Sequence, residues 1–185
     1  MIIAIAGTPG TGKTEVAKTL SGITGFKIIT TKNAALHGAV SGRDAMRKAM
    51  IVDPTKLQKA VSKMIKGDSI IEGMLAHLLK ADIIVVLRCN PAELQKRLKS
   101  RKWSARKIRE NMQAEILDTI TIEALGKRRK VVEIDTSKKS SKEAARIIKN
   151  MISGKIAKKY KPGSIDWIKK YGNYLLDPES KRFNI

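Results

Sequence analysis

The chain has 185 residues, 42% hydrophobic and 4% aromatic, with 38 Lys and Arg against 17 Asp and Glu, a formal charge of +21. This length supports one domain with an aliphatic core. A single cysteine, Cys89, excludes an intramolecular disulfide and a Cys-rich metal site, and suits a small core residue in a reducing compartment. No apolar run approaches the ~18 residues of a membrane span and no signal peptide precedes the first motif, so a cytoplasmic protein is expected.

Residues 2–6 (IIAIA) are apolar and partly β-branched, which predicts a buried strand. Gly7-Thr8-Pro9-Gly10-Thr11-Gly12-Lys13-Thr14 follows and fits G-x-x-x-x-G-K-[ST] at every fixed position. Helix formers come next, from Glu15 to Leu20. Strand, glycine loop and helix start form the context of a phosphate-binding loop. Glycines let backbone N–H groups approach a phosphate chain, and the helix N-terminus favours the anion. Lys13 is placed to reach β- and γ-phosphates, and the Thr14 hydroxyl to ligate Mg²⁺, so ATP and Mg²⁺ are the expected cofactors.

Residues 26–31 predict a second strand. Residues 32–50 are mixed, with breaks at Gly38 and Gly42, and occupy the place of an acceptor-binding segment in a small kinase. Arg43, Arg47 and Lys48 either meet an acceptor phosphate or form a solvated helix face. Asp53-Pro54 opens a helix with Leu57, Val61, Met64 and Ile65 on its buried face and Gly67 closing it. Residues 69–73 (SIIEG) predict a third strand ending in Glu72, a candidate second Mg²⁺ contact beside Thr14; the alternative is an ordinary strand-end glutamate. His37 is expected on the surface, and His77 in a polar contact or exposed.

Residues 81–89 (ADIIVVLRC) are the most apolar run and read as a buried parallel strand. Asn90-Pro91 starts a helix with Leu94 and Leu98 inward and Lys96, Arg97 and Lys99 outward; Ser104 caps a long helix to about residue 125, with Ile108, Met112, Ile116 and Ile120 on its buried stripe. Arg97, Arg101, Arg106 and Arg109 cluster around the turn between them, where a lid over ATP would neutralise phosphoryl charge. Residues 131–134 predict the last strand, and residues 144–152 the last amphipathic helix. Alternating strands and helices imply a parallel sheet covered on both faces, and no fixed-period repeat appears.

Beyond Gly154 lysines interleave with Tyr160, Trp167, Tyr171 and Tyr174. Such a segment can track and stack on nucleic acid, or pack on the core, as the alternation SIDWI suggests for Trp167. The charge of +21 favours a polyanionic partner over heat adaptation, which usually raises Glu together with Lys. RNA binding is expected through residues 127–130 and 155–170, and removal of the segment after Gly154 is expected to spare phosphoryl transfer unless Trp167 is core.

The phosphate loop, IIEG at 70–73 and RLKSRKWSARKIRENMQAEI at 97–116 together resemble the adenylate kinase isoenzyme 6 family, archaeal "putative adenylate kinase" branch. The resemblance runs over about 1–152, and the archaeal members also resemble PGSIDW at 162–167. It implies an α/β fold: a nucleoside-monophosphate-kinase-like three-layer sandwich with a mostly parallel central sheet, a short lid and a basic C-terminal extension. The kinase domain would be 1–153, with the acceptor segment at about 30–52 and the lid at about 100–110, and the extension 154–185. The implied function is ATP:AMP phosphotransfer with ATPase activity in small ribosomal subunit maturation, with a small-subunit ribosomal protein and pre-ribosomal RNA as partners. The resemblance implies ATP contacts at Gly10, Gly12, Lys13, Thr14, Glu15, Arg101 and Lys138, catalysis by Lys13 and Arg101, and metal contacts at Thr14 and Glu72. Family members often carry an acidic-x-His motif at the third strand's end; here it reads Glu72-Gly73-Met74, with His77 one turn on. The alternatives are an ATP-dependent ribonucleoprotein assembly factor with little kinase activity, and a kinase of another small metabolite. No Asn-Lys-x-Asp element is present, which argues against a guanine-specific switch.

Overall fold

The computed structural model describes residues 1–45, 49–126, 130–154 and 157–176. Strands β1 (Ile2–Gly7), β2 (Lys27–Thr30), β3 (Val40–Asp44), β4 (Ala49–Val52), β5 (Ser69–Glu72), β6 (Ile83–Arg88) and β7 (Lys130–Asp135) alternate with helices. These are α1 (Lys13–Thr24), α2 (Thr31–Leu36), α3 (Pro54–Met64), α4 (Pro91–Ser100), α5 (Ala105–Ile116), α6 (Thr119–Leu125) and α7 (Ser141–Ile152). The main sheet is parallel throughout, in the order β2-β5-β1-β6-β7.

Alternation along β1 divides the core. Ala4 and Ala6 face α3 and α6 with Leu57, Val61, Ile71 and Ala124. Ile3 and Ile5 face α1 and α7 with Val16, Leu20, Ile148 and Met151. A third cluster lies beside the sheet: Cys89, Leu94, Leu98, Ile108, Met112 and Ile116 are covered by Tyr171 and Tyr174, with Trp103 and Trp167 packed on it. The expected three-layer α/β sandwich is thus present.

Several local expectations are corrected. Residues 40–52 hold an antiparallel β3–β4 hairpin, so Arg43 sits on an exposed strand and not on a helix. Gly38, at φ +96°, marks the break before it, whereas Gly42 is within β3. Arg47 and Lys48 lie outside the described residues. The third helix ends at Met64 with Ile65 extended, and Gly67 lies in the turn beyond. The long helix expected to residue 125 is two. Asp118 adopts φ +54° and turns its carboxylate to Arg88 Nη2, which breaks the helical path between α5 and α6. The last helix begins earlier than expected, at Ser141, fixed by a capping box between Ser140 and Glu143.

The extension beyond Gly154 is packed. Short helical turns at Lys158–Tyr160, Ile168–Tyr171 and Asn173–Leu176 run across the molecule. Tyr160 packs on the α1–α7 core, and the Tyr171 hydroxyl donates to Asn90 Oδ1, the N-cap of α4, at 2.7 Å. Lys127, Arg128, Arg129 and Lys155 of the expected RNA-binding segments lie outside the described residues. No helix among the described residues is long and apolar enough to cross a membrane.

Candidate active site

β1 lies between β5 and β6, so the C-terminal ends of these strands converge where the strand order switches direction. Register pairs Ile5 with Glu72 and Gly7 with Leu87, which sets Glu72 beside the phosphate loop. The loop is held from three sides. Thr136 Oγ1 donates to Thr11 O at 2.9 Å, Arg97 Nη1 to Gly10 O at 3.4 Å, and the Thr8 hydroxyl donates to Glu115 Oε2. A side chain at Gly10 is disfavoured: at φ +96° any other residue is strained, and a Cβ would stand 2.7 Å from Leu94 Cδ1, which would have to shift.

A cleft of about 510 Å³ opens above the loop. Gly10, Gly12, Lys13, Thr14 and Glu15 line it, with Glu72 and with Arg101 from the turn after α4. Thr31 and Ala35 of α2, Met50 and Val52 of β4, and Leu75 and Trp103 line it as well. Gly10, Gly12, Lys13, Thr14, Glu15, Glu72 and Arg101, expected to act together, therefore share one cavity. Lys138 does not line it. Lys138 is exposed and borders a separate cavity of about 520 Å³ with Trp167, Lys96 and Lys170.

Lys13 Nζ donates to Thr8 O at 3.1 Å. Burial pushes its ammonium down to about 8, and Arg101 adds to this, while Glu72 and Glu115 oppose it. Thr14 Oγ1 stands 3.4 Å from Glu72 Oε2. A hydroxyl and a carboxylate so close fit a hard divalent cation that takes its remaining oxygens from phosphate and water. Among the described residues no group of three or more His, Cys, Asp or Glu is placed to hold a metal by itself.

The arginines of the turn divide. Arg97 does not face outward as expected: its guanidinium bonds Glu93 at 3.0 Å, Thr136 O at 3.1 Å and Ser137 O at 3.0 Å as well as the loop. Arg106 pairs with Glu110 at 3.2 Å on the surface. Arg109 borders a third cavity with Tyr174 and Trp103 and does not itself line the cleft. His77 makes the expected polar contact. Its Nδ1 meets Met74 O at 2.9 Å and its Nε2 meets Glu123 Oε2 at 2.7 Å, so it is fully engaged and does not line the cleft. His37 is exposed, as expected.

Thr31, Met50 and Val52 fall within the expected acceptor segment, Trp103 within the expected lid and Thr8 within the loop motif, though none was singled out as a site residue; Arg88 was missed. A lone arginine closing the most apolar strand was the available signal for Arg88, since an unpaired buried cation is untenable.

Residues 3–118 match the AAA domain family. A relative from Archaeoglobus fulgidus named "Putative adenylate kinase" is 43% identical over 171 residues, covering 91% of this chain and 92% of its own. One of the same name from Pyrococcus furiosus is 41% identical, covering 92% and 93%. Among solved structures, shikimate kinase from Acinetobacter baumannii in complex with shikimate aligns with TM-score 0.59 at 18% identity, covering 84% of this chain and 95% of that one. Deoxyadenosine kinase from M. mycoides aligns with TM-score 0.54 at 16% identity, covering 83% and 99%. The structural likenesses establish a P-loop kinase fold, and on the identity and coverage of the sequence relatives this chain belongs to the archaeal "Putative adenylate kinase" family.

Proposed function

We propose that this chain transfers the γ-phosphoryl group of ATP to AMP with Mg²⁺, giving two ADP. The supporting observation is that one cleft gathers Lys13, Thr14, Glu72 and Arg101 together with residues of α2, β4 and Trp103, which would form the acceptor wall. A phosphate oxygen of AMP attacks Pγ, and the bond from Pγ to the β,γ-bridging oxygen breaks, its electrons leaving with ADP. Lys13 neutralises charge on the β- and γ-phosphates, and Arg101, which lines the same cleft, neutralises charge on the transferring group. Thr14 and Glu72 would hold Mg²⁺, which supplies charge neutralisation on the phosphate oxygens. Lys13→Ala is expected to lower kcat by about 10²-fold or more, measured as ADP formed from ATP and AMP. A panel of other monophosphates and small hydroxylated metabolites tests the acceptor. Wild-type protein that makes no ADP from this pair, yet phosphorylates another acceptor, overturns the AMP assignment.

The resemblance to isoenzyme 6 extends this reading to ATP hydrolysis without AMP, and to work in the cytoplasm on small ribosomal subunits with a ribosomal protein and pre-ribosomal RNA. What supports it is the charge of +21 and the exposed Lys158, Lys159, Lys161, Lys169 and Lys170 on the extension. Met74 stands where the family often carries histidine, and His77 is committed elsewhere. ATP turnover without AMP, titrated with RNA, tests this reading. The logarithm of RNA affinity should fall linearly with log salt, with a slope of roughly 0.7 per phosphate neutralised on single strands. Turnover that ignores RNA at every salt concentration counts against it.

A further inference from the structure

Behind the phosphate loop lies a buried ion cluster. Arg88, the last residue of β6, is 2% exposed. Its Nε donates to Glu115 Oε1 at 2.8 Å and its Nη1 to Glu133 Oε1 at 2.5 Å, while Nη2 reaches Glu115 O at 2.9 Å and the Asp118 carboxylate. One cation thus gathers three carboxylates, from α5, from the α5–α6 turn and from β7. Burial opposes its charge, but Glu115, Asp118 and Glu133 outweigh that and hold the guanidinium above its ordinary range.

Glu115 is equally buried and carries two more bonds. Its Oε1 accepts the Cys89 N–H at 3.0 Å, and its Oε2 accepts the Thr8 hydroxyl. Thr8 is the first variable residue of the loop motif and is itself 2% exposed. Its carbonyl oxygen receives the Thr11 N–H at 3.2 Å, the Thr11 hydroxyl at 2.9 Å and the Lys13 ammonium at 3.1 Å. One residue therefore receives the loop lysine on its backbone and is tied to the ion cluster by its side chain.

Such a cluster is a poor source of stability, because desolvating its members offsets their attraction. It is well suited to fixing geometry. A hydroxyl donating to a buried carboxylate makes a short, charge-assisted bond. Thr8 cannot turn away without leaving that oxygen unsatisfied.

We infer that Glu115 is a positioning residue for the ATP half of the cleft: through the Thr8 hydroxyl it fixes the height of the phosphate loop and the carbonyl on which Lys13 rests. Arg88 and Glu133 hold Glu115 in turn. Glu133 Oε2 accepts the Gly163 N–H at 2.8 Å, so the C-terminal extension closes the same cluster. The inference rests on the kinase reading of the cleft but concerns ATP binding, and the acceptor wall shares none of these bonds.

The test compares Thr8→Val, which keeps the volume and removes the hydroxyl, with Thr8→Ser, which keeps the hydroxyl. Titration calorimetry measures ATP with Mg²⁺, and AMP, separately on full-length proteins that melt well above the assay temperature. Thr8→Val is expected to weaken ATP binding about tenfold, the usual scale for a hydrogen bond to a charged group. AMP binding should stay within about twofold, and Thr8→Ser should restore wild-type ATP affinity. Where valine prevents folding, Thr8→Ala replaces it. ATP affinity unchanged in the hydroxyl-free variant, ATP and AMP weakened alike, or a serine variant as weak as the hydroxyl-free one, each overturns the inference. Wild-type protein that binds ATP but forms no ADP with AMP counts against the acceptor assignment alone, since the ATP titrations are read without it.

Discussion

At Gly73 the chain leaves β5 with φ +146°, and a Cβ there would overlap the Thr31 hydroxyl. Both residues line the cleft, next to the proposed acceptor wall. Gly73→Ala should therefore push the end of β5 away from α2, in a backbone conformation that alanine resists. The expected result is a lowered melting temperature and a KM for AMP raised several-fold more than that for ATP. Equal effects on both substrates would mean that the strain spreads to the phosphate loop. Cys89 gives a second residue-scale expectation. Burial pushes its thiol up to about 12, with Glu115 and Asp135 adding to this and Arg97 opposing it. The thiolate is the reactive form, so the native protein at pH 8 should resist iodoacetamide, while the same protein in denaturant is alkylated readily. Mass spectrometry of the two samples distinguishes them.

Among the elements, the break between α5 and α6 is where local pattern and tertiary structure part. Ile108, Met112, Ile116 and Ile120 continue one helical stripe in the sequence, and nothing in that spacing marks Asp118. The reason for the break lies 30 residues away, in the charge of Arg88. Asp118→Ala removes one carboxylate from a buried cation and places alanine in the left-handed region, so it should cost about 2 kcal/mol or more. Asp118→Asn, which tolerates that conformation, should cost less. Urea denaturation of the two variants checks the order. The same contrast explains what was legible. The phosphate loop could be read directly because strand, glycines, lysine and helix are contiguous and their chemistry is local. The parallel sheet followed from the alternation of elements. The β3–β4 hairpin was hidden because both strands are short, β3 is mostly polar and exposed, and β4 is a brief apolar run with no polar–apolar alternation in its sequence. Thr8 and Glu115 each stand in a segment that the motifs single out, but their bond spans 107 residues and has no local signature.

For the whole molecule, the segment after Gly154 is both basic surface and core. Tyr171 and Tyr174 are nearly buried over Leu94, Leu98 and Met112, Trp167 tilts against Tyr171 with ring centroids 6.2 Å apart, and Gly163 reaches Glu133. Removing it bares this cluster and leaves one oxygen of Glu133 without its donor. A chain ended after Gly154 should melt about 10 °C or more below the full protein, given that burial of an aromatic side chain contributes roughly 2 kcal/mol or more and each kcal/mol shifts Tm by about 2–4 °C at this size. Differential scanning calorimetry measures the difference, and an unchanged Tm would reduce the tail to a solvated appendage. The expectation that phosphoryl transfer survives this truncation is revised accordingly, because Trp167 and the tyrosines beside it belong to the third core cluster.

That cluster also sets an order of events during synthesis. Helices α4 and α5 leave the exit tunnel with Leu94, Leu98 and Met112 on them, and the tyrosines that cover these side chains are translated later. Until then the nascent chain carries a sticky face beside its nucleotide loop. A polypeptide halted by a premature stop near Gly154 keeps that face permanently, as a mark that chaperones and proteases recognise. Docking of the turns after Gly154 is therefore expected to distinguish chains that carry them from chains truncated before them, and a lower cellular level of the truncated chain, restored by protease inhibition, checks this.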